Sequence, residues 1–369
     1  MPRVSLSGQS IVVVSNEPWG NVWFSKHNYA YELSKQNKVF FVNPAPKWQL
    51  NNIFKSNISV ENYSDNLTIV NYYNRLPILN KILFYINEYF ISKEIKNFFK
   101  KKGHRIDILW SFDPFRFHKP KKLGATYSIF HAVDLYRFEH YAEEPLCENV
   151  DFVFCVSSML VKQYSVFNKP VFLVPHGISS EEFMADDTSE LGNISLKEYG
   201  LYIGGIDNRL NFELLERILI EFPEQPILFV GPIELPIHSE SGQRIIVEKK
   251  YNNFYYLEAV HFKKLKYYIH QAKFCLNLRD HTKIAHLVSY HKLLQYLALG
   301  KPVFGCEIDD YKNSKGIVYM SNDDMVLMEL LRSFLKHGED TALERKRIEY
   351  AKKFTFQEIF INIERMINT

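Results

Sequence analysis

The sequence predicts an α/β protein made of two doubly wound domains in tandem. Three observations lead there. Short apolar strands alternate with helical segments, the pattern of parallel β-α-β units. The alternation breaks once, after Pro175-His176-Gly177, where residues 179–196 turn polar and acidic, and it resumes at Leu201. A length of 369 residues suits two domains of about 170 residues each.

In the first series, apolar runs predict strands at 11–15, 39–43, 67–72, 107–111, 125–130, 152–156 and 171–174, with helices at 24–35 and 78–102. In the second series, strands are expected at 201–203, 227–230, 255–257, 274–278 and 302–305. Helices are expected there at 212–221 and 263–271, and a last helix at 343–367. The domain bounds are therefore 1–178, a linker at 179–200, 201–342, and a closing segment at 343–369.

Composition excludes several classes. A charged share of 24% and an apolar share of 46% describe a globular chain. A net charge of +3 is too small to point to nucleic acid. No apolar run reaches membrane-spanning length. The apolar start at Ile11 is followed at once by Asn16, Glu17 and Pro18, which reads as a first strand and not a signal peptide. Cys147, Cys155, Cys275 and Cys306 form no C-x-x-C pair, which suits reduced thiols in a cytoplasmic protein. No G-x-G-x-x-G follows a strand, which argues against a dehydrogenase. Asp309-Asp310 and Asp323-Asp324 read as late loops, so no metal or other cofactor is implied.

The densest signal is LNLRDHTKIAHLVSYHKLLQYLALGKPVFG at 276–305. It reads as strand, loop, helix, tight turn, strand. Ser289 is placed to cap the helix, and Leu293, Leu294 and Leu297 fall at core spacing. Gly300 and Pro302 supply the stop. A helix start favours an anion, Lys292 lies in its first turn, and Gln295 lies one turn on. That set suits a nucleotide diphosphate.

Tyr290-His291-Lys292 followed by Gln295-Tyr296-Leu297-Ala298-Leu299-Gly300-Lys301-Pro302-Val303 resembles the C-terminal domain of GT-B glycosyltransferases, family-4-like, of bacterial surface polysaccharide synthesis. The resemblance implies two Rossmann-like domains facing a cleft, with a C-terminal helix packing back on the first domain. It implies donor contacts at His291 and Lys292. It also implies that the position of Gln295, a glutamate in that family, holds ribose hydroxyls, so Gln295→Glu is expected to preserve or improve donor binding. The family's earlier acid is replaced in the neighbourhood of His286 and Ser289. Leu201-Tyr-Ile-Gly-Gly-Ile-Asp-Asn-Arg209 is similar to the family's first strand and loop of the nucleotide domain. Gly204 and Gly205 let the backbone approach a ligand, and Arg209 offers a planar fork for phosphate or pairs with Asp207 or Glu213.

In the first domain, Ile129-Phe-His131-Ala-Val-Asp134 resembles the family's strand end with two acids. His131 and Asp134 are thus candidates for acid–base work, with a structural histidine as the alternative. Glu17, Trp19 and Gly20 follow the first strand, where the acceptor loop lies in this fold. Gly20 would leave room for substrate, and Trp19 either stacks on a sugar or packs. Glu143 and Glu144 read as a solvated face.

Residues 78–105 carry seven Lys/Arg against two Glu, interleaved with aromatics. Such a helix either lies on an anionic membrane surface or packs with a solvated basic end. The expectation is a metal-independent glycosyltransferase with a nucleotide-sugar donor and a glycan or lipid-linked acceptor. Its expected location is cytoplasmic, at the inner face of the plasma membrane on the membrane reading of that helix. An inactive partner subunit of the same fold and a sugar-nucleotide epimerase are the alternatives.

Overall fold

The computed structural model describes residues 4–53, 58–136, 143–185, 196, 198–282, 291–312, 314 and 316–369. Two compact units emerge: Met1–Pro175 together with Phe356–Thr369, and His176–Thr355.

The first unit holds β1 (Ser10–Val14), α1 (Ser25–Ser34), β2 (Lys38–Val42), β3 (Ile58–Asn62), β4 (Leu67–Tyr72), α2 (Lys81–Lys101), β5 (Ile108–Ser111), α3 (Pro120–Leu123), β6 (Tyr127–Ala132), α4 (Glu144–Cys147), β7 (Phe152–Cys155), α5 (Ser158–Tyr164) and β8 (Val171–Leu173). Its sheet runs β3-β4-β2-β1-β5-β6-β7-β8, and every pairing is parallel except β3 with β4. Central parallel strands are covered on both faces, which is why β1 and β5 read as unbroken apolar runs. One face packs on Ile91, Ile95 and Phe99 of α2, spaced four apart on one side of that helix. The other face, with Trp110 of β5, packs on Tyr29 and Leu33 of α1.

The second unit holds β9 (Tyr199–Ile203), α6 (Phe212–Glu221), β10 (Ile227–Val230), α7 (Glu240–Gly242), β11 (Phe254–Leu257), α8 (Leu265–Gln271), β12 (Ala272–Asn277), α9 (His291–Ala298), β13 (Val303–Gly305), β14 (Tyr319–Met320), α10 (Asp324–His337) and α11 (Ala342–Lys352). Its sheet runs β11-β10-β9-β12-β13-β14, all parallel. Counted from the first strand of the unit, that is the dinucleotide-binding order, with a topological switch between β9 and β12. The expected strands all occur, displaced by two residues at most at their ends.

Several expectations change. The last helix is two helices, α11 in the second unit and α12 (Phe356–Ile367) in the first. The Phe354 carbonyl accepts Ile178 N–H instead of continuing a helix, and the apolar stripes on either side serve different cores. Asp323-Asp324 is not loop: Asp323 caps α10 by accepting from Met325 N–H at 2.8 Å. Glu143 is fully buried rather than solvated. Ser180–Phe183, expected within a linker, forms a 3₁₀ turn bonded to α9. Ser289, Tyr290 and His286 lie outside the described residues.

His27 generates a prediction. It is fully buried, accepts Phe24 N–H at Nδ1 and donates from Nε2 to the Pro18 carbonyl. Burial pushes its pKa down to about 4, and the same cause does so for His291 in the second unit. Both fold neutral, so the unfolded chain binds more protons between pH 6.5 and 4. Stability should fall through that window, by up to about 1.4 kcal/mol per pH unit for each histidine. Urea titrations at pH 7, 6 and 5 should show the loss, and His27→Gln should flatten part of it.

Candidate anion site at the edge of the second sheet

The switch between β9 and β12 is where ligands bind in open parallel sheets, and here it is shaped by glycine and lined by cations. The chain leaves β9 through Gly204, whose φ of +137° suits glycine. A Cβ on Gly231, just past β10, would lie 2.1 Å from the Gly204 carbonyl oxygen, so these two turns require glycine at 231. Gly205 is under no such demand, since a Cβ there meets only ordinary contacts.

Beyond Gly205, Asp207 organises the loop. Its buried carboxylate accepts from the Arg209 backbone N–H at 2.8 Å, Arg209 Nη2 at 2.6 Å and Arg279 Nη1 at 3.0 Å. Burial alone would raise its pKa, but the bonds from Arg209 and the charge of Arg279 prevail and hold it at about 2. Arg209 thus takes the pairing with Asp207 that was open to it, while its side chain remains 58% exposed. Arg279 follows β12, and sequence reasoning missed it. Its side chain is 10% exposed, and its Nε–H is buried without a hydrogen-bond partner. The signal was present in Leu278-Arg279-Asp280: a charged residue directly after an apolar strand.

Lys292 reaches the same place from the first turn of α9. Its Nζ lies 4.1 Å from the Tyr202 ring centroid and 3.8 Å from the position a Gly204 Cβ would take. Burial, and then the Arg279 guanidinium, push its pKa well below the ordinary lysine range. The helix is anchored by Tyr296, whose hydroxyl accepts Ile203 N–H at 2.9 Å. Two arginines and a lysine around one carboxylate leave an excess of positive charge, suited to an anion.

Gln295 sits deeper. It is buried and donates from Nε2 to Glu182 Oε2 at 2.6 Å. A glutamate at 295 would face that carboxylate directly. Two carboxyls at this separation cannot both ionise and would share a proton. His291 lies beside the pair, with Nε2 4.0 Å from Glu182 Oε1.

In the first unit His131 is a core residue. It is fully buried, stacks on Phe112, accepts Trp110 Nε1–H and meets the Val174 carbonyl at 3.1 Å. The acid–base role is therefore corrected to a structural one. Asp134 is exposed and accepts Leu135 N–H. Trp19 packs against Trp23, Phe41 and Tyr63. Glu17 is half-buried, and Gly20 is exposed with open space around a Cβ, so nothing demands glycine there. Lys26, also missed, is buried and donates to Asn16 at 2.5 Å. Burial lowers its pKa to about 8 against the opposing charges of Glu17, Asp113 and Asp134.

The whole chain superposes on known transferase structures. The E. coli trehalose-6-phosphate protein bound with UDP-2-fluoro glucose matches with a TM-score of 0.69 and 12% identity, over 98% of this chain and 99% of that one. WaaG, a glycosyltransferase involved in lipopolysaccharide biosynthesis, matches at 0.67 and 12%, over 97% and 99%. The catalytic domain of starch synthase IV from Arabidopsis thaliana, bound to ADP and acarbose, matches at 0.65 and 11%, over 98% and 99%. The fold is GT-B. No protein-family model matches the sequence, and no curated protein matches it.

A polyanion placed beside Lys292 should raise its depressed pKa, so binding takes up a proton. Pyrophosphate affinity should then weaken as pH rises. Calorimetry in two buffers of different ionisation enthalpy should detect the uptake, and Lys292→Met should abolish it.

Proposed function

We propose that the chain is a glycosyltransferase. It moves a sugar from a nucleotide diphosphate sugar to a glycan or lipid-linked acceptor in surface polysaccharide assembly. The observation that carries this reading is the convergence of Arg279, Lys292 and Arg209 on the glycine-shaped switch of a GT-B sheet. Negative charge grows on the leaving diphosphate in the transition state, and fixed cations stabilise it there. In this reading they do so without a metal. His291, Gly204 and Gly205 belong to the same donor site. On the acceptor side, Glu17, Lys26 and Asp134 supply hydroxyl-binding groups in the first unit, beside Trp19 and Gly20.

A thermal-shift screen of UDP-, GDP- and ADP-sugars tests the donor. A ligand at a hundredfold its dissociation constant should stabilise by about 2.7 kcal/mol. Charge-assisted contacts are worth roughly 1.5–3 kcal/mol. Lys292→Ala and Arg279→Gln should each lower turnover on the order of tenfold to a hundredfold. Unchanged binding and turnover in both variants would remove the donor site.

The proposed setting is the cytoplasmic face of the plasma membrane. Among the described residues no helix is long and apolar enough to cross a membrane. Residues flanking and opening α2 are exposed and apolar, with Leu79 at 79% and Ile82 at 72% exposure. Lys93, Lys96, Lys119 and Lys122 line a groove of about 570 Å³ on the same helix. Liposomes rich in anionic lipid should sediment the protein, and salt should release it. Equal sedimentation with neutral liposomes would exclude this attachment.

A further inference from the structure

Lysines gather on one flank of the first unit. Lys93 and Lys96 lie one turn apart on α2, Lys122 lies in α3, and Lys119 directly precedes it. The four line a single groove of about 570 Å³, within the roughly 300–1,000 Å³ usual for small-ligand sites. Lys96 marks the junction of the two helices: a Cβ on Gly124, which ends α3, would lie 3.6 Å from its Cε.

The protein itself leaves this charge uncompensated. Glu94 is taken by Arg75, and Asp151 by the neighbouring Lys121. No acid stands three or four positions from Lys93 or Lys96 on α2, where helix ion pairs form. Among the described residues none of the four lysines is ion-paired. Like charges one turn apart oppose each other, so the groove gains from an anion. Its other lining groups are not those of a plain anion site. Glu88 is half-buried there and accepts His118 N–H at 3.2 Å, with acceptor capacity left for hydroxyls. The rings of Tyr85 and Tyr89, one turn apart on α2, are exposed along it. Cations, a hydroxyl acceptor and open aromatic faces together match a sugar that carries negative charge. A flat lipid surface would not enter a concave groove, and its phosphates would meet Glu88.

We infer that the groove between α2 and α3 binds an acidic saccharide, with its carboxylate or phosphate groups on the lysines and its hydroxyls on Glu88. Tyr85 and Tyr89 offer apolar faces to the sugar ring. The site lies wholly in the first unit and does not rest on the donor site. It shares its lysines with the proposed membrane attachment, and the test separates the two.

The test uses the full chain at low salt, by calorimetry, with trigalacturonate, glucose 6-phosphate, maltotriose and citrate. The preferred acidic sugar should bind at least about tenfold more tightly than neutral maltotriose and than citrate, a polyanion without a sugar ring. Lys93→Gln/Lys119→Gln should weaken it at least about tenfold, and added salt should weaken it in wild type. Tyr89→Ala should weaken it several-fold and leave citrate unchanged. Lys292→Met should bind it as wild type does, which sets the groove apart from the donor site. The substituted groove side chains are exposed, so these variants should keep the wild-type melting temperature. Citrate binding as tightly as the acidic sugars would reduce the groove to a general cation patch and overturn the inference. So would unchanged binding in the double lysine variant. If neither acidic sugar binds, the inference falls. Sedimentation of wild type but not of the double variant with phosphatidylglycerol vesicles would then assign the lysines to the lipid surface.

Discussion

The second unit's site depends on one carboxylate. Asp207 accepts from two arginines that arrive from different strands, Arg209 after β9 and Arg279 after β12. The backbone follows the same connection: Asn211 N–H donates to the Leu278 carbonyl, and Asp280 N–H to that of Arg209. The loop after the first strand is thereby stitched to the loop after the fourth, across the switch in strand order. Removing Asp207 would leave two guanidiniums and a half-buried lysine together without the carboxylate they share.

Glycine does the complementary work. Gly204 and Gly231 approach so closely that any side chain at 231 would strike backbone. Beside these turns Lys292 lies over the Tyr202 ring. A lysine over an aromatic face with a lowered pKa is placed to take up a proton when an anion arrives. The first unit treats its corresponding switch differently. There Arg116 sits between β1 and β5 and donates to Asp113, the Asn43 carbonyl and Tyr72, which ties the strand ends together.

Much of the fold was legible because central parallel strands are apolar on both faces and stand out in any window. β3 was not, since it is an exposed edge strand with polar residues at most positions. Lys292 was legible because helix start, turn and stop fall in register around it. Arg279 and Glu182 were not: each acts through a partner about 70 to 110 positions away, and sequence spacing holds no trace of that. His131 misled because a strand end can point inward as readily as outward. Its two nitrogens are satisfied inside the core by Trp110 and Val174.

The crossing of the chain between units has a consequence for biosynthesis. The second unit is continuous, and Ile178 pairs with Thr355 near its two ends. The first unit is discontinuous: Phe356, Ile359 and Ile363 of α12 complete its core, and Asn368 bonds to Val4 on both backbone groups. Domains usually fold in the order they leave the ribosome. Here the unit that emerges first must wait for residues 356–369, which follow the whole of the second unit. Until then it exposes the apolar seam that α12 will cover, while the later unit already has everything it needs.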